Sequence, residues 1–148
     1  MSPATSSTAP IRVNVTQTYT SDPKTVFEAL SEHENLGPVF GAKITRISDG
    51  DTDRNGVGSS RKLNIGPLPA IVETVVVSEP NTHIEYKITK GGFPLKDHYG
   101  VQRLTPTADG GTQLDYTIAF NTAIPGMAGT VAKQLTGALT KGLPKLVP

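Results

Sequence analysis

The chain has no cysteine and no tryptophan, and aromatic residues make up only 5% of its 148 positions. Without cysteine there can be no disulfide, thiolate metal site or cysteine nucleophile. A chain without disulfides suits a reducing compartment, so the cytoplasm is the expected location. No apolar run approaches the roughly 20 residues of a membrane span, and no stable membrane insertion is expected. Charge of one sign is also lacking in excess: 14 Lys and Arg face 13 Asp and Glu, for a net +1. The cations are scattered, as at Lys43, Arg46, Arg54, Arg61, Lys62, Lys87 and Lys90. A phosphate-binding face needs clustered cations, so nucleic acid is not an expected partner; nor does the balance favour an anionic membrane. Walker loops, dinucleotide fingerprints, zinc spacings and Ser-His-Asp frameworks are missing, and no cofactor or metal is expected. Gly58-Ser59-Ser60 offers Gly-x-Ser inside a strand, without the context of a nucleophile elbow.

What remains is a globular chain of one-domain length, 36% hydrophobic and 18% charged. Residues 1–10 are rich in Ser, Thr, Ala and Pro, with no apolar stretch of a secretory signal, and read as a flexible tail before one domain over 11–148. Ile11–Tyr19 alternates apolar and polar residues, the period of a half-buried strand. Asp22-Pro23 predicts a helix start, with Val26, Phe27 and Leu30 on its apolar face over Pro23–Leu30. Ser31-Glu32-His33-Glu34 has the capping-box spacing of a second short helix, which Gly37-Pro38 would stop.

Strand patterns follow at Lys43–Ser48, Val57–Ile65, Ala70–Ser78, Thr82–Thr89, Leu95–Leu104 and Thr112–Phe120. Their short connections imply antiparallel hairpins. From Gly126 to about Lys141, Met127, Val131, Leu135 and Leu139 make an i, i+4 stripe: a helix with one buried face, weakened by Gly129 and Gly137 and ended or kinked by Pro144. The expected class is α+β. A curved antiparallel sheet of seven strands can cover its apolar face only with that final helix. The small residues Gly126, Ala128, Gly129 and Ala132 leave a hollow expected near the helix's N-terminal half.

Three segments carry a resemblance to a known superfamily: Asp22-Pro23-Lys-Thr-Val-Phe-Glu-Ala-Leu30, Glu73-Thr-Val75 and Gly110-Gly111-Thr112. With the element order, they make the chain from Ile11 to Val147 resemble the helix-grip, START-like (SRPBCC) proteins. These include birch-allergen-type (Bet v 1-like) proteins, polyketide cyclase/dehydrase-like proteins and abscisic-acid receptors. Gly66-Pro67-Leu68-Pro69-Ala70 is similar to the receptors' Ser-Gly-Leu-Pro-Ala gate loop through Leu68, Pro69 and Ala70, which implies a lid at Gly66, Pro67, Leu68 and Pro69. Only Leu95 of Phe93-Pro94-Leu95 matches their His-Arg-Leu latch. Their anchoring lysine has no counterpart in Gly37-Pro-Val-Phe40, so neither the hormone nor the phosphatase partner is implied. The resemblance puts pocket positions at Glu73, His98, Met127, Val131 and Leu135.

Glu73 shares a strand face with Ile71, Val75 and Val77. Facing the pocket, it could orient a ligand hydroxyl or exchange protons; facing outward, it would be solvated. His98, mid-strand, is a ligand-orienting group, or else a satisfied or surface histidine. Two strands, roughly 10 Å, should separate the two backbones, so they would meet one ligand from two sides rather than form a tight dyad. His33 and His83 read as a helix-surface residue and a strand residue near a turn. Tyr86 and Tyr116 read as core residues with partnered hydroxyls, or as phenolic acids. Arg61 and Asp115 could form an internal pair, though a surface place suits each better. Asp51-Thr-Asp53-Arg-Asn55-Gly56 opens like a calcium loop, but Lys62 stands where the bidentate Glu belongs; it reads as a hairpin turn with Asn55-Gly56 at positive φ. The expected function is binding of a small hydrophobic or amphipathic molecule (lipid, polyketide or aromatic metabolite) by a monomer or weak homodimer. The alternatives are a polyketide cyclase/dehydratase-type enzyme using the same cavity, and a structural or partner-binding module whose cavity is filled. Glu73→Gln should weaken ligand retention with little effect on folding.

Overall fold

A computed structural model describes residues 8–64 and 69–148. Seven strands, β1 (Ile11–Tyr19), β2 (Lys43–Ser48), β3 (Ser60–Asn64), β4 (Ile71–Glu79), β5 (His83–Lys90), β6 (Leu95–Pro106) and β7 (Thr112–Thr122), form one antiparallel sheet in the order β1-β7-β6-β5-β4-β3-β2. Helix α1 (Pro23–Ser31), a 3-10 turn (His33–Leu36) and α2 (Gly37–Phe40) carry the chain from β1 to β2, from one sheet edge to the other. Helix α3 (Ala128–Gly142) follows β7 and runs into a 3-10 turn at Leu143–Lys145. The architecture is the expected curved sheet with a terminal helix. No helix among the described residues is long and apolar enough to cross a membrane.

Because all neighbouring strands are antiparallel, the starts of β1, β2, β4 and β6 and the ends of β3, β5 and β7 share one end of the sheet. Helix α3 begins there too. We call this the proximal end.

Local rules account for most elements. Asp22 caps α1 by accepting from the Thr25 amide (2.9 Å), and Val26 and Leu30 bury completely. Five local expectations fail. Ser31 is not a cap but the last residue of α1, where its hydroxyl donates to the Phe27 carbonyl one turn back. Gly37-Pro38 does not stop a helix; it opens α2, since proline suits a first turn that needs no amide donor. Strand β3 begins at Ser60 rather than Val57, and the positive φ falls on Gly58 (φ 93°), not on Asn55-Gly56. A β-bulge between Val75 and Val77 also turns Val77 to the outer face, opposite Glu85.

The sheet's concave face buries Val13, Val15, Val75, Ile84, Leu104, Leu114, Ile118 and Phe120 under α1, α2 and α3. Helix α3 is held at its C-terminal half, where Leu139 and Leu143 are fully buried and Tyr19 Oη donates to the Leu143 carbonyl (2.7 Å). Its N-terminal half lies on the core through half-buried Ala128, Val131, Ala132 and Leu135. Ala9, within the segment read as a tail, is also buried, against Tyr99 and Ala119 on the outer face, and Pro10 accepts from the Phe120 amide. The remainder of that tail, residues 1–7, lies outside the described residues.

Candidate functional site

Arg61, Glu73 and Ile88 stand opposite one another across β3, β4 and β5. Directly opposed residues share a face, so all three point inward. Arg61 Nε and Nη2 both donate to Glu73 Oε1 (3.1 and 2.9 Å), and the guanidinium carbon lies 4.7 Å from the Tyr86 ring centroid. Arg61 is only 3% exposed and Glu73 9%. Two charges taken out of water persist when they neutralise each other and satisfy their hydrogen bonds. Glu73 therefore faces inward, and Arg61 is buried rather than on the surface. Asp115 lies elsewhere and accepts from the Thr16 hydroxyl.

His98 reaches the same place through a break in β6. Lys96 pairs with Asn121 and Tyr99 with Ala119, so β6 carries one extra residue here. Asp97 takes up the strain with φ 55°. Leu95 and His98 are three apart and would face opposite ways in a regular strand; the bulge turns both inward. The Ile88 amide donates to His98 Nδ1 (3.1 Å), which leaves the neutral ring's proton on Nε2. Nε2 stands 3.9 Å from Glu73 Oε2, beyond a hydrogen bond but closer than the strand spacing implies. Burial holds the His98 pKa below its ordinary value, with the Glu73 charge opposing and the Arg61 charge adding.

Beneath these groups the buried hydroxyls of Tyr86 and Tyr116 hydrogen-bond to each other, and Gln102 bonds to Tyr116. Burial pushes Tyr116 up to about 12 and Tyr86 well above the ordinary phenol value, so both stay protonated at neutral pH. Tyr86 fits because Gly100 faces it: a Cβ there would fall on the phenol ring.

These side chains border a cavity of about 70 Å³. Leu63, Ile71, Ile88, Leu95 and Ile118 form its apolar wall, Phe40 and Leu135 cover it, and Glu73, His98 and Tyr86 supply its polar side. The hollow therefore lies under Leu135, not beside the small residues of α3: Gly126 and Gly129 are exposed, with open space around each. Leu135, Glu73, His98 and Tyr86 line the cavity. Tyr116 sits behind Tyr86, Val131 packs on the core, and Met127 is half-buried at the start of α3; none of these three lines it. Gly66, Pro67 and Leu68 of the expected lid lie outside the described residues, and Pro69 is exposed. A larger hollow of about 630 Å³ is an open groove beside Pro38, Lys141 and Leu146, away from Glu73 and His98.

Arg61 and His33, expected at the surface, are both buried. Arg61 had a signal: Ser59, Arg61 and Leu63 alternate onto one face, and Ser59 is fully buried. His33, read as a surface residue, is 3% exposed with neither ring nitrogen partnered among the described residues. Burial, with the charges of Arg61 and Arg46, brings it down to about 2. No cluster of His, Asp and Glu among the described residues could hold a metal ion.

One family model, described as polyketide cyclase / dehydrase and lipid transport, matches residues 10–148. The chain belongs to this family. Solved structures share the chain's fold at low identity. A START superfamily protein from Mycobacterium smegmatis superposes with TM-score 0.71 at 16% identity, over 90% of this chain and 92% of that one. The Zhui aromatase/cyclase from Streptomyces sp. R1128 gives TM-score 0.63 at 19% identity, over 90% and 84%. Ara h 8.0201 gives 0.63 at 17%, over 89% and 93%. No curated protein matches the sequence.

Proposed function

We propose that this chain binds a small hydrophobic or amphipathic molecule (a lipid, polyketide or aromatic metabolite) between the sheet and α3, with the ligand's polar group at Glu73 and His98. The observation that carries this is the gap between those two side chains. Glu73 Oε1 is occupied by Arg61, while Oε2 stands 3.9 Å from His98 Nε2. A ligand hydroxyl placed there donates to Oε2 and accepts from Nε2–H, and Tyr86 borders the same side. The apolar wall takes the remainder of the molecule; each 100 Å² of apolar ligand surface buried is worth about 2.5 kcal/mol.

A cavity of about 70 Å³ holds about two water molecules, while ligand sites usually exceed about 300 Å³. The ligand must therefore displace Leu135 and Phe40. That is feasible because the full burial is at Leu139 and at Leu143 just beyond the helix, while the N-terminal half of α3 packs only through half-buried residues. Lifting brings Val131, Met127 and Tyr116 within reach of a ligand, and the 66–69 segment is proposed as the lid. Native mass spectrometry of the protein purified from its own host should show a retained small molecule, and Leu135→Trp, which fills the cavity, should release it. Protein that carries nothing and binds no apolar probe would end this reading. Sedimentation across concentrations tests the accompanying proposal of a monomer or weak homodimer.

The convergence of two titratable groups also favours a second reading, an enzyme of cyclase or dehydratase type. His98 Nε2–H would hydrogen-bond a ligand carbonyl while Glu73 takes a proton from the adjacent carbon, giving an enolate whose oxygen that hydrogen bond stabilises. Exchange of that carbon's hydrogen in deuterium oxide, lost in Glu73→Gln, would support it.

A further inference from the structure

The net charge of +1 conceals a strong separation of charge along the sheet. The last two residues of each strand at the proximal end include Arg12, Lys43, Lys90 and Lys96, and no carboxylate. The proximal connections at 91–94 and 123–127 carry no charge at all. At the opposite end the connections carry Asp22, Asp49, Asp51, Asp53 and Asp109 against Arg54, β4 finishes on Glu79, and Lys141 and Lys145 lie at the close of α3. Asp97 and Glu73, each third from the proximal start of its strand, are the acidic residues nearest that end; Asp97 accepts from Asn121 and Glu73 is paired with Arg61. No ion pair among the described residues engages Lys43, Lys90 or Lys96.

The same end is apolar at its tips. Phe93, in the turn between β5 and β6, is 75% exposed; Ile11, opening β1, is 63% exposed; Ile124, between β7 and α3, is 42% exposed. The Ala123 amide donates to the Pro94 carbonyl (2.8 Å), which holds the loops of Phe93 and Ile124 side by side. The cavity lies toward this end as well: Ile71 and Leu95 are the first residues of β4 and β6, and Leu63 is next to last in β3.

We propose that the proximal end docks on the surface of an anionic lipid bilayer. Apolar tips set among lysines match the bilayer interface, which takes up exposed Phe and Ile side chains and attracts cations to its headgroups. A nucleic acid would use the lysines but gain nothing from Phe93, Ile11 and Ile124. The acidic far end is held away from the surface, so the charge separation also sets orientation. Docked this way, the cavity faces the lipid from which an amphipathic ligand would enter. The proposal rests on the ligand site above for its purpose, but its test needs no ligand.

The full chain is mixed with vesicles of phosphatidylcholine, with or without phosphatidylserine, and bound protein is recovered by flotation. Binding should require phosphatidylserine and fall as salt is raised. Removing two lysines in Lys90→Gln/Lys96→Gln should lower partitioning about 25-fold, about fivefold for each. Phe93→Ser should lower it about tenfold. Lys141→Gln/Lys145→Gln, near the end of α3, should leave it unchanged. All five positions are exposed, and circular dichroism checks the fold of each variant. Absence of binding, indifference to phosphatidylserine, or an equal loss from the Lys141/Lys145 pair would each overturn the proposal. Protein that floats with vesicles yet never retains a small molecule would overturn the ligand reading and leave this one standing. Protein that retains a molecule but ignores vesicles would do the reverse.

Discussion

Replacing Glu73 by Gln keeps the side chain's shape and removes its charge. Arg61 is 3% exposed, and Glu73 Oε1 receives two of its hydrogen bonds. Its Nη1 has no partner among the described residues. The variant therefore leaves a guanidinium in the interior without its counter-charge. Breaking one side of a buried pair costs about 3 kcal/mol or more, a large share of a domain's stability of about 5–15 kcal/mol. This revises the expectation from sequence that Glu73→Gln would spare folding: that expectation lacked the buried arginine. Arg61→Met should cost a similar amount by stranding the carboxylate. The double variant should cost much less than the sum, since removing both charges also removes their desolvation. Urea unfolding of the four proteins closes the cycle. Additive effects, each below about 1 kcal/mol, would mean that the pair is as well solvated as a surface bridge, and the account of the site would fail. The same series reports on His98. Glu73's charge raises the His98 pKa against burial, so His98 should titrate at lower pH in Glu73→Gln, as followed by its ring proton shifts.

Three further outcomes follow from single positions. His33 is held to about 2 against an ordinary 6.5, so between those values only the unfolded chain takes the proton and stability falls as pH drops below 6.5. At about pH 4.5 the loss is about 2.7 kcal/mol; the stability difference between wild type and His33→Phe should shift by that amount from pH 7, and a difference constant with pH would refute the assignment. Gly100→Ala puts a methyl into the Tyr86 ring; it should cost about 2 kcal/mol and break the Tyr86–Tyr116 hydrogen bond, with near-ultraviolet circular dichroism unchanged if the reasoning is wrong. Leu139→Ala, at a fully buried anchor of α3, should cost about 3 kcal/mol and speed amide exchange along the helix; a cost below about 1 kcal/mol would show that α3 is held elsewhere.

Alternation of apolar and polar residues was enough to place seven strands, and the Met127–Leu139 stripe was enough to place the terminal helix. Both signals are local: a strand turns a side chain over every residue and a helix repeats every 3.6, whatever lies opposite. Glu73 and His98 could be singled out the same way, as polar residues inside such patterns. What they touch could not. Arg61 meets Glu73 only because β3 and β4 pair in one register, and a slip of one residue would turn Arg61 outward. His98 shares a face with Leu95 only because of an extra residue in β6, a break in the alternation that sequence reading relies on. Lys43, Lys90, Lys96 and Arg12 looked scattered because they are far apart along the chain; antiparallel pairing carries strand starts and strand ends to the same edge and gathers them. Composition and periodicity determined the elements, and long-range pairing decided the partners, because register and shared ends depend on residues that meet only once the sheet has formed.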